Sequence, residues 1–321
     1  GSTHHEAVVE PTDLVEMLPQ LVHHYGEPFA DPSMVPTFYL ARWARRRITV
    51  ALTGEGGDEL FGGYYRHQAA RLAGYGDVLP AGLRRLAVRG AARAASKSAH
   101  PMSLQHKLYR ALRAIELDPG ERYAEWTAVL SPEERKALSP TLPPVPPADP
   151  PGWARTPLDR ALAVDLAKSL PDQLLFKMDI ATMASSLEAR APLLDFKLVE
   201  WAARLPAVHK HHGLRRKRLI ADALGRHLPR ELFQRPKMGF TAPIPAWLRG
   251  DLYELLTDTL LGDASRSRGI VDPGAVERLI SEHRNGIEHT RGLWTLLMLE
   301  LWHQEFVDRS SISRQDPVAT P

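Results

Sequence analysis

Cysteine is absent from all 321 residues of this chain. Its absence excludes a disulfide framework, a thiolate metal site and a cysteine nucleophile. The sequence also contains no apolar run close to the ~20 residues that a membrane-spanning helix needs. Its opening residues, "GSTHHEAVVE", lack the basic and apolar regions of a secretory signal. We therefore expect a cytoplasmic protein that has no membrane partner.

The excess of positive over negative charge is small as well. The 41 Lys and Arg residues nearly balance the 38 Asp and Glu residues, and the formal net charge is +3. Such a balance is not typical of a nucleic-acid-binding protein, so we do not expect a nucleic-acid partner. Basic residues do collect between Asp77 and Glu116, where eight of them occur and no acid does. A solvated pair of helices explains this basic cluster, and a site for an acidic partner is the alternative.

What the sequence does contain is the pattern of a folded, mostly helical protein. Hydrophobic residues make up 44% of the chain and charged residues 25%, as in ordinary globular domains. Apolar spacing predicts helices over 12–25 and 33–47. The run "ITVALT", 48–53, is short and rich in β-branched residues, so it predicts a strand buried on both faces of a parallel sheet. "EAVVE", 6–10, is a second candidate strand.

Glycines and carboxylates alternate directly after this strand in "GEGGDELFGG", 54–63, which we call the acidic turn. It lacks the lysine of a Walker loop and the third glycine of a dinucleotide fingerprint. Its acids would repel a bare phosphate, but proteins hold Mg²⁺ by one or two carboxylates together with phosphate oxygens. The pattern therefore favours a metal–nucleotide site at a strand end, where open parallel sheets bind ligands. The alternative is a tight turn with incidental surface acids.

The acidic turn lies within "LTGEGGDELFGGY", which resembles a signature of the synthetase domain of the asparagine synthetase family. Four more segments resemble the family in its own order: "HHYGEPFADPSMVPTFYLAR" (23–42), "LPDQLLFKMDIATMASSLEARAPLLD" (170–195), "LRRKRLIADALGRHLPRELFQRPKMGF" (214–240) and "GLWTLLMLELWHQEF" (292–306). The resemblance implies an α/β, predominantly helical fold. It would contain an incomplete parallel sheet of the PP-loop ATP pyrophosphatase (HUP-like) type and a large helical C-terminal part.

The expected organisation has five parts. They are a partial nucleotide-binding α/β unit over 1–77, a basic helical insertion over 78–138, a proline-rich connector over 139–157, a helical synthetase core over 158–308, and a disordered tail over 309–321. The connector follows from seven prolines between 140 and 151, a density that is typical of a semi-rigid spacer.

The resemblance also implies a reaction, that of a glutamine-hydrolysing asparagine synthase, an ATP-dependent carbon–nitrogen ligase. A small-molecule acid, aspartate in the namesake enzymes, attacks the α-phosphorus of ATP. An acyl-adenylate and pyrophosphate form, and ammonia or another amine then attacks the acyl carbon and releases AMP. The expected cofactors are ATP and Mg²⁺. Which acid is joined stays open, because "EPFADPSMVP" differs from the threonine-rich stretch of some asparagine synthetases.

Matching positions imply roles in the acidic turn. Asp58 would ligate Mg²⁺, and Glu55 would act as a general base or position the amine. Glu59 is a weaker candidate, and a cap of the following helix is its other interpretation. Three glycines would let the backbone approach the nucleotide: Gly54, Gly56 and Gly57.

Basic residues elsewhere complete the implied site. Lys237, in "RPK", would contact phosphate and the developing charge. Lys177 would lie near pyrophosphate, and a solvated surface lysine is the alternative. The run "RRKR", 215–218, either steers the nucleotide or begins a solvated helix. Glu188 and Arg190 are interpreted as a structural ion pair or cap.

The family's nucleotide loop, Ser-Gly-Gly-x-Asp-Ser, does not occur in this sequence. The resemblance therefore implies a sequence truncated at its N-terminus, which needs an upstream synthetase and glutaminase segment as its partner. We expect the chain to be inactive alone and to expose an unpaired sheet edge. The alternative function is an inactive or split remnant that acts as an interaction module.

Overall fold

The structure is a computed structural model, and it describes residues 3–8, 14–76, 80–95, 114, 117–140, 149–213, 215–229, 231–234, 239–240 and 242–309. Lys237 and residues 310–321 of the tail lie outside the described residues, so the predictions made for them are not described further. Residues 96–113 of the basic cluster and 141–148 of the proline-rich connector also lie outside them.

Helices dominate the described part of the chain, as the apolar spacing predicts. In the first half they run over Leu14–Tyr25, Met34–Ala44, Gly57–Phe61, Tyr65–Gly76, Ala81–Ala95, Pro119–Thr127 and Pro132–Leu138. In the second half they run over Pro157–Val164, Phe176–Met183, Phe196–Arg204, Ala207–Lys210, Arg218–Leu224, Glu231–Gln234, Ile244–Arg249, Tyr253–Leu261, Asp263–Arg268, Pro273–Arg284 and Thr290–Trp302. Wider π-helical turns occupy Asp165–Leu175 and His303–Asp308, and a 3-10 turn occupies Pro192–Leu194. No helix in these described segments is long and apolar enough to cross a membrane.

The main core forms around helix Leu14–Tyr25. Its apolar residues recur every three or four positions, so they share one face. The face predicted from that spacing is buried, and Met17 joins it. This helix packs against Thr290–Trp302, in which Trp294 is fully buried, and against Phe176–Met183. The core thereby fixes the helix that carries Lys177.

The described part of the chain contains one sheet of two short parallel strands. Strand β1, Val50–Leu52, pairs with strand β2, Glu188–Arg190, with Val50 opposite Glu188 and Leu52 opposite Arg190. The pairing continues past β1, because the amide of Thr53 donates to the carbonyl of Arg190 at 2.8 Å. The acidic turn therefore starts at the carboxyl end of a parallel strand. The α/β, mostly helical class is confirmed.

The predicted burial of β1 on both faces is wrong for this chain. The strand covers residues 50–52 instead of 48–53, and the exposed fraction of Leu52 is 74%. Within the described segments, β1 has a single three-residue strand as its partner, and Leu52 remains open to solvent. Residues 6–8, part of the second candidate strand, form no strand.

Strand β2 was not predicted, because residues 157–308 have a helical pattern overall. In a strand, residues two apart lie on the same face, which brings Glu188 and Arg190 together. The Nε of Arg190 donates to Glu188 at 2.7 Å, so the two residues form an ion pair as interpreted, between side chains that are 62% and 54% exposed.

Candidate active site at the acidic turn

The backbone of the acidic turn needs glycine at two positions. Gly56 has φ +87°, and a Cβ there would lie 2.2 Å from Cδ2 of Leu194. Gly62 has φ +72°, and its Cβ would lie 2.4 Å from Nε2 of His211. Only glycine adopts such conformations readily and fits this space. Gly54 differs, since a Cβ there would meet no atom within 4 Å. The turn is thus tightly packed at Gly56 and Gly62 and open beside Gly54.

Glu55 lies among several charged side chains. Burial raises the pKa of Glu55 above its usual value, and the positive charge of Lys177 opposes this shift. Three carboxylates add to the increase: Glu59, Asp58 and Asp31. One basic and three acidic side chains thus act on the charge of Glu55. A carboxyl whose pKa is raised toward neutral is suited to accept and release a proton.

Asp58 forms an ion pair that the sequence did not indicate. Its Oδ1 lies 2.7 Å from Nζ of Lys217. The space for this pair depends on Gly63, where a Cβ would lie 1.5 Å from Oδ1 of Asp58 and 2.3 Å from Cε of Lys217. The ambiguous run 215–218 therefore contacts the acidic turn through its lysine.

The carboxylate oxygens of Asp58 are suitable ligands for Mg²⁺ when phosphate oxygens supply further ligands. No group of three His, Cys, Asp or Glu side chains within the described ranges is arranged to hold a metal ion. Such a group is not required, because Mg²⁺ is usually bound by one or two carboxylates plus substrate phosphates. Because Gly63 has no Cβ, the backbone leaves room at this position for the Asp58 carboxylate. Asp58 could contribute one ligand, with nucleotide supplying others.

Glu59 is not an incidental surface acid. Its exposed fraction is 1%, and its carboxylate accepts a hydrogen bond from the hydroxyl of Tyr64. Burial and the charge of Glu59 raise the pKa of Tyr64, which keeps the phenol protonated as a donor. The side chain of Glu59 is therefore bonded to Tyr64. The N-cap residue of the helix Gly57–Phe61 is Gly56, and no side chain caps this helix.

A buried polar network contacts Tyr64 through Arg66. The guanidinium of Arg66 lies 3.8 Å from the ring of Tyr64 and donates to Oδ2 of Asp165 at 2.7 Å. Nε2 of His67 lies 2.6 Å from the same oxygen, and the side chains of His67 and Asp165 have no exposed surface. The hydroxyl of Ser169 donates to the other oxygen of Asp165. This network fixes the residues that follow the acidic turn.

Electrostatics in the network follow from burial. Burial alone would raise the pKa of Asp165, but the hydrogen bond from His67 and the charge of Arg66 keep it below its usual value. Burial lowers the pKa of His67 despite its bond to Asp165. The network therefore combines an ion pair between Arg66 and Asp165 with a histidine whose proton affinity is reduced by burial. The sequence did not predict this network. The run "YYRH" directly after the acidic turn is a local signal for Tyr64, Arg66 and His67, but no local pattern marks Asp165 as their partner.

Lys177, whose charge acts on Glu55, lies in a second cluster of polar side chains. Its residue is 7% exposed, so the alternative of a solvated surface lysine is wrong. Its Nζ donates to Oγ of Ser33 at 3.0 Å and lies 3.8 Å from Oδ2 of Asp31. Asp31 also accepts hydrogen bonds from the amide and hydroxyl of Ser33 and from Gln173. The "DPS" stretch thereby fixes the ammonium group, a role that the sequence did not reveal.

Three residues of the segment 211–217 contact the far end of the acidic turn. Nε2 of His211 bonds to the carbonyl of Gly62, and Arg216 donates to the carbonyl of Gly63 at 3.0 Å. The Arg216 guanidinium also lies 3.7 Å from the ring of Tyr65. With Lys217 on Asp58, the segment covers the two glycines that close the turn.

The structure thus brings most of the predicted site together. Glu55, Asp58 and the three glycines share the acidic turn, and the charge of Lys177, on helix Phe176–Met183, acts on Glu55. Lys237 lies outside the described residues, so its meeting with Asp58 in one cleft stays a prediction.

Comparison with known proteins gives consistent matches. A family model described as "Asparagine synthase" matches residues 1–304. The chain is 36% identical to proteins named "Putative asparagine synthetase (glutamine-hydrolyzing)" from Mycobacterium bovis and Mycobacterium tuberculosis, over 97% of this chain and 48% of each relative. It is 26% identical to "Asparagine synthetase (glutamine-hydrolyzing) 1" of Bacillus subtilis, over 94% of this chain and 48% of that relative. The chain spans about half the length of the curated relatives it matches.

Proposed function

This chain belongs to the asparagine synthase family, and from that premise we propose that it contributes the acidic turn and its cations to an ATP-dependent amide-forming ligase. The proposed substrates are ATP, a small carboxylic acid, for which aspartate is the first candidate, and ammonia released from glutamine. The sheet of β1 and β2 would belong to a larger parallel sheet of the PP-loop ATP pyrophosphatase type.

The convergence of opposite charges at the strand end carries this proposal. A carboxylate substrate must approach a polyanionic nucleotide, so the site has to neutralise phosphate while it keeps a proton acceptor available. Asp58, which is paired with Lys217, and Lys177, which donates to Ser33, both act electrostatically on Glu55.

Each residue has a distinct proposed role. Asp58 holds Mg²⁺ together with phosphate oxygens, and the ion supplies charge neutralisation for departing pyrophosphate. Lys177 stabilises negative charge on pyrophosphate as a fixed ammonium. Glu55, whose pKa is raised by burial, accepts a proton from the attacking amine or positions it.

An alternative function is favoured by one observation. Strand β1 exposes Leu52 to 74%, and Val50 beside it is 39% exposed. Within the described segments β1 pairs with β2 alone, so its opposite edge can pair with a strand of another chain. We propose that the remainder of the protein, present in the longer relatives, supplies that partner, and that the chain is inactive alone. In the non-enzymatic alternative the same strand makes this chain an interaction module.

Pyrophosphate release separates the two functions. It is measured with ATP, aspartate and Mg²⁺, first on this chain and then on this chain mixed with the upstream half of a full-length relative. The ligase predicts aspartate-dependent release in the mixture. Binding of the two parts without any aspartate-dependent release refutes an aspartate-using ligase and supports the interaction module.

Lys237 can be tested in the same assay. We expect Lys237→Ala to lower turnover by about 10²–10³, the usual loss for one transition-state charge contact. Lys168→Ala, an exposed lysine of the segment Asp165–Leu175, is the matched control and should stay within about twofold of the parent. Unchanged turnover in Lys237→Ala removes this lysine from the mechanism.

A further inference from the structure

A cavity of about 530 Å³ lies outside the acidic turn, between three helices and the segment 149–154. The three helices are Tyr65–Gly76, Pro119–Thr127 and Pro157–Val164. Small-molecule sites in proteins measure roughly 300–1,000 Å³ and often lie between helices. None of the residues to which we assign a role in the ligase reaction lines this cavity, so it is a separate candidate binding site.

The buried part of the cavity wall is apolar and aromatic. Ala70 and Ala161 line it from two different helices, and both residues are buried. Their short side chains leave space that larger apolar residues would fill in a close-packed core. Trp126 and the buried Tyr123 add aromatic rings to the same wall. Because aromatic rings pair favourably with one another, the wall favours a ligand that carries an aromatic ring.

Hydrogen bonds hold this wall in place. The hydroxyl of Tyr123 accepts a hydrogen bond from Nε of Arg66, a member of the buried network, at 2.9 Å. The guanidinium of Arg122, which also lines the cavity, donates to the carbonyls of Ala114 and Leu117 at 2.9 and 3.1 Å. A wall that is already ordered loses little conformational freedom when a ligand binds to it.

Two side chains of opposite charge line the exposed part of the cavity. They belong to Asp149 and Arg160, which are both exposed and form no ion pair with another described residue. Nε of Arg160 donates to the carbonyl of Ala154 at 3.4 Å, which is longer than an ordinary hydrogen bond. The guanidinium can therefore bind a carboxylate in the two-point geometry typical of arginine. The carboxylate of Asp149 can accept hydrogen bonds from an ammonium group.

We propose that this cavity binds an aromatic α-amino acid, with its ring against Trp126 and Tyr123 and its carboxylate on Arg160. Asp149 accepts hydrogen bonds from the ammonium group of the same ligand. An α-amino acid carries both charges on one carbon and its ring beyond them, which matches a cavity that is charged where it is exposed and apolar where it is buried. A neutral aromatic molecule would leave both charges unused, and an aromatic acid without an ammonium group would leave Asp149 unpaired.

Binding is measured on the whole 321-residue chain by ¹⁹F NMR line broadening with three probes. They are 4-fluoro-L-phenylalanine, 4-fluorophenylacetate, which lacks the ammonium group, and 4-fluorophenethylamine, which lacks the carboxylate. We expect the amino acid to bind roughly 3- to 5-fold more tightly than either of the other probes, because one partly exposed charge pair supplies a gain of that size.

Three variants assign the contacts. Arg160→Gln should weaken binding of the amino acid and of 4-fluorophenylacetate by roughly 3- to 5-fold and leave the amine unchanged. Asp149→Asn should weaken binding of the amino acid and of the amine instead. Ala161→Leu fills the buried part of the cavity and should abolish the broadening of all three probes. Arg155→Gln, at an exposed arginine of the same segment that does not line the cavity, is the matched control and should change no affinity.

The opposite effects of Arg160→Gln and Asp149→Asn on the two singly charged probes support the proposal. No broadening of 4-fluoro-L-phenylalanine by the parent chain overturns it, and so does broadening that Arg160→Gln leaves unchanged. Arg160 is exposed, so its variant should fold and decides the outcome even if Ala161→Leu does not fold. The result does not depend on the ligase reaction, which pyrophosphate release tests separately.

Discussion

A single methyl group at Gly63 tests the packing that brings Asp58 and Lys217 together. In Gly63→Ala the new Cβ would lie 1.5 Å from Oδ1 of Asp58 and 2.3 Å from Cε of Lys217. Neither separation is possible between unbonded atoms, so the ion pair must open or the turn must shift. The substitution therefore perturbs the site without changing any charge.

The expected size of the effect combines three contributions. Overpacking typically costs about 1–3 kcal/mol, and loss of a partly exposed ion pair adds about 0.2–1 kcal/mol. Alanine also restricts the unfolded chain, which stabilises the protein by about 0.4–1 kcal/mol. We expect Gly63→Ala to lower the free energy of unfolding by about 1–3 kcal/mol.

Gly54→Ala is the matched control within the same turn. A Cβ there meets no atom within 4 Å, and the φ of Gly54 lies outside the left-handed region. The entropic contribution then acts alone, and we expect stabilisation of up to about 1 kcal/mol. The two alanine variants should thus differ in sign.

Urea unfolding followed by far-ultraviolet circular dichroism measures both variants against the parent. A change in midpoint at constant slope reports stability alone. Equal midpoints for Gly63→Ala and Gly54→Ala would refute the claim that the backbone of Gly63 forms the seat of the ion pair.

The buried network and the small sheet give three more expected outcomes. Asp165→Ala leaves the guanidinium of Arg66 without its carboxylate and should lower the free energy of unfolding, measured with urea, by about 3–5 kcal/mol. Glu200→Ala, in an exposed pair, is the control and should lower it by at most about 0.5 kcal/mol. Similar losses in the two variants would contradict the burial argument. Burial lowers the pKa of His67 below 6.5, so the unfolded chain binds more protons and the free energy of unfolding falls as the pH drops below ~6.5. In His67→Gln, the free energy of unfolding should change less with pH between about pH 7 and pH 5. Amide exchange across 50–52 should be fast in the isolated chain, since a two-stranded pair is marginal alone, and strong protection there would show that β1 is covered.

Local pattern was enough to predict several elements. Helix Leu14–Tyr25 followed from apolar residues three and four apart, because that spacing places them on one helical face. The acidic turn followed from glycines and carboxylates after an apolar run. Strand β2 could not be predicted from local pattern, because three residues are too few to show a period and the strand exists only through pairing with β1.

Partners far apart in the chain could not be predicted. Asp165 is about a hundred residues from Arg66 and His67, and its burial depends on helices that pack only in the folded molecule. The same holds for Lys217 on Asp58, which no spacing in "RRKR" indicates. The burial of β1 was predicted wrongly for the same reason, since its composition describes the strand and not what covers it.

The sequence by itself determined the helical class, the position of the acidic turn and the family to which the chain belongs, because periodicity and contiguous motifs are properties of neighbouring residues. Tertiary structure alone decided which cation meets Asp58, how Lys177 and Tyr64 are held, and how open β1 is. Those outcomes depend on distances between residues remote in the chain, and folding sets such distances through packing and burial.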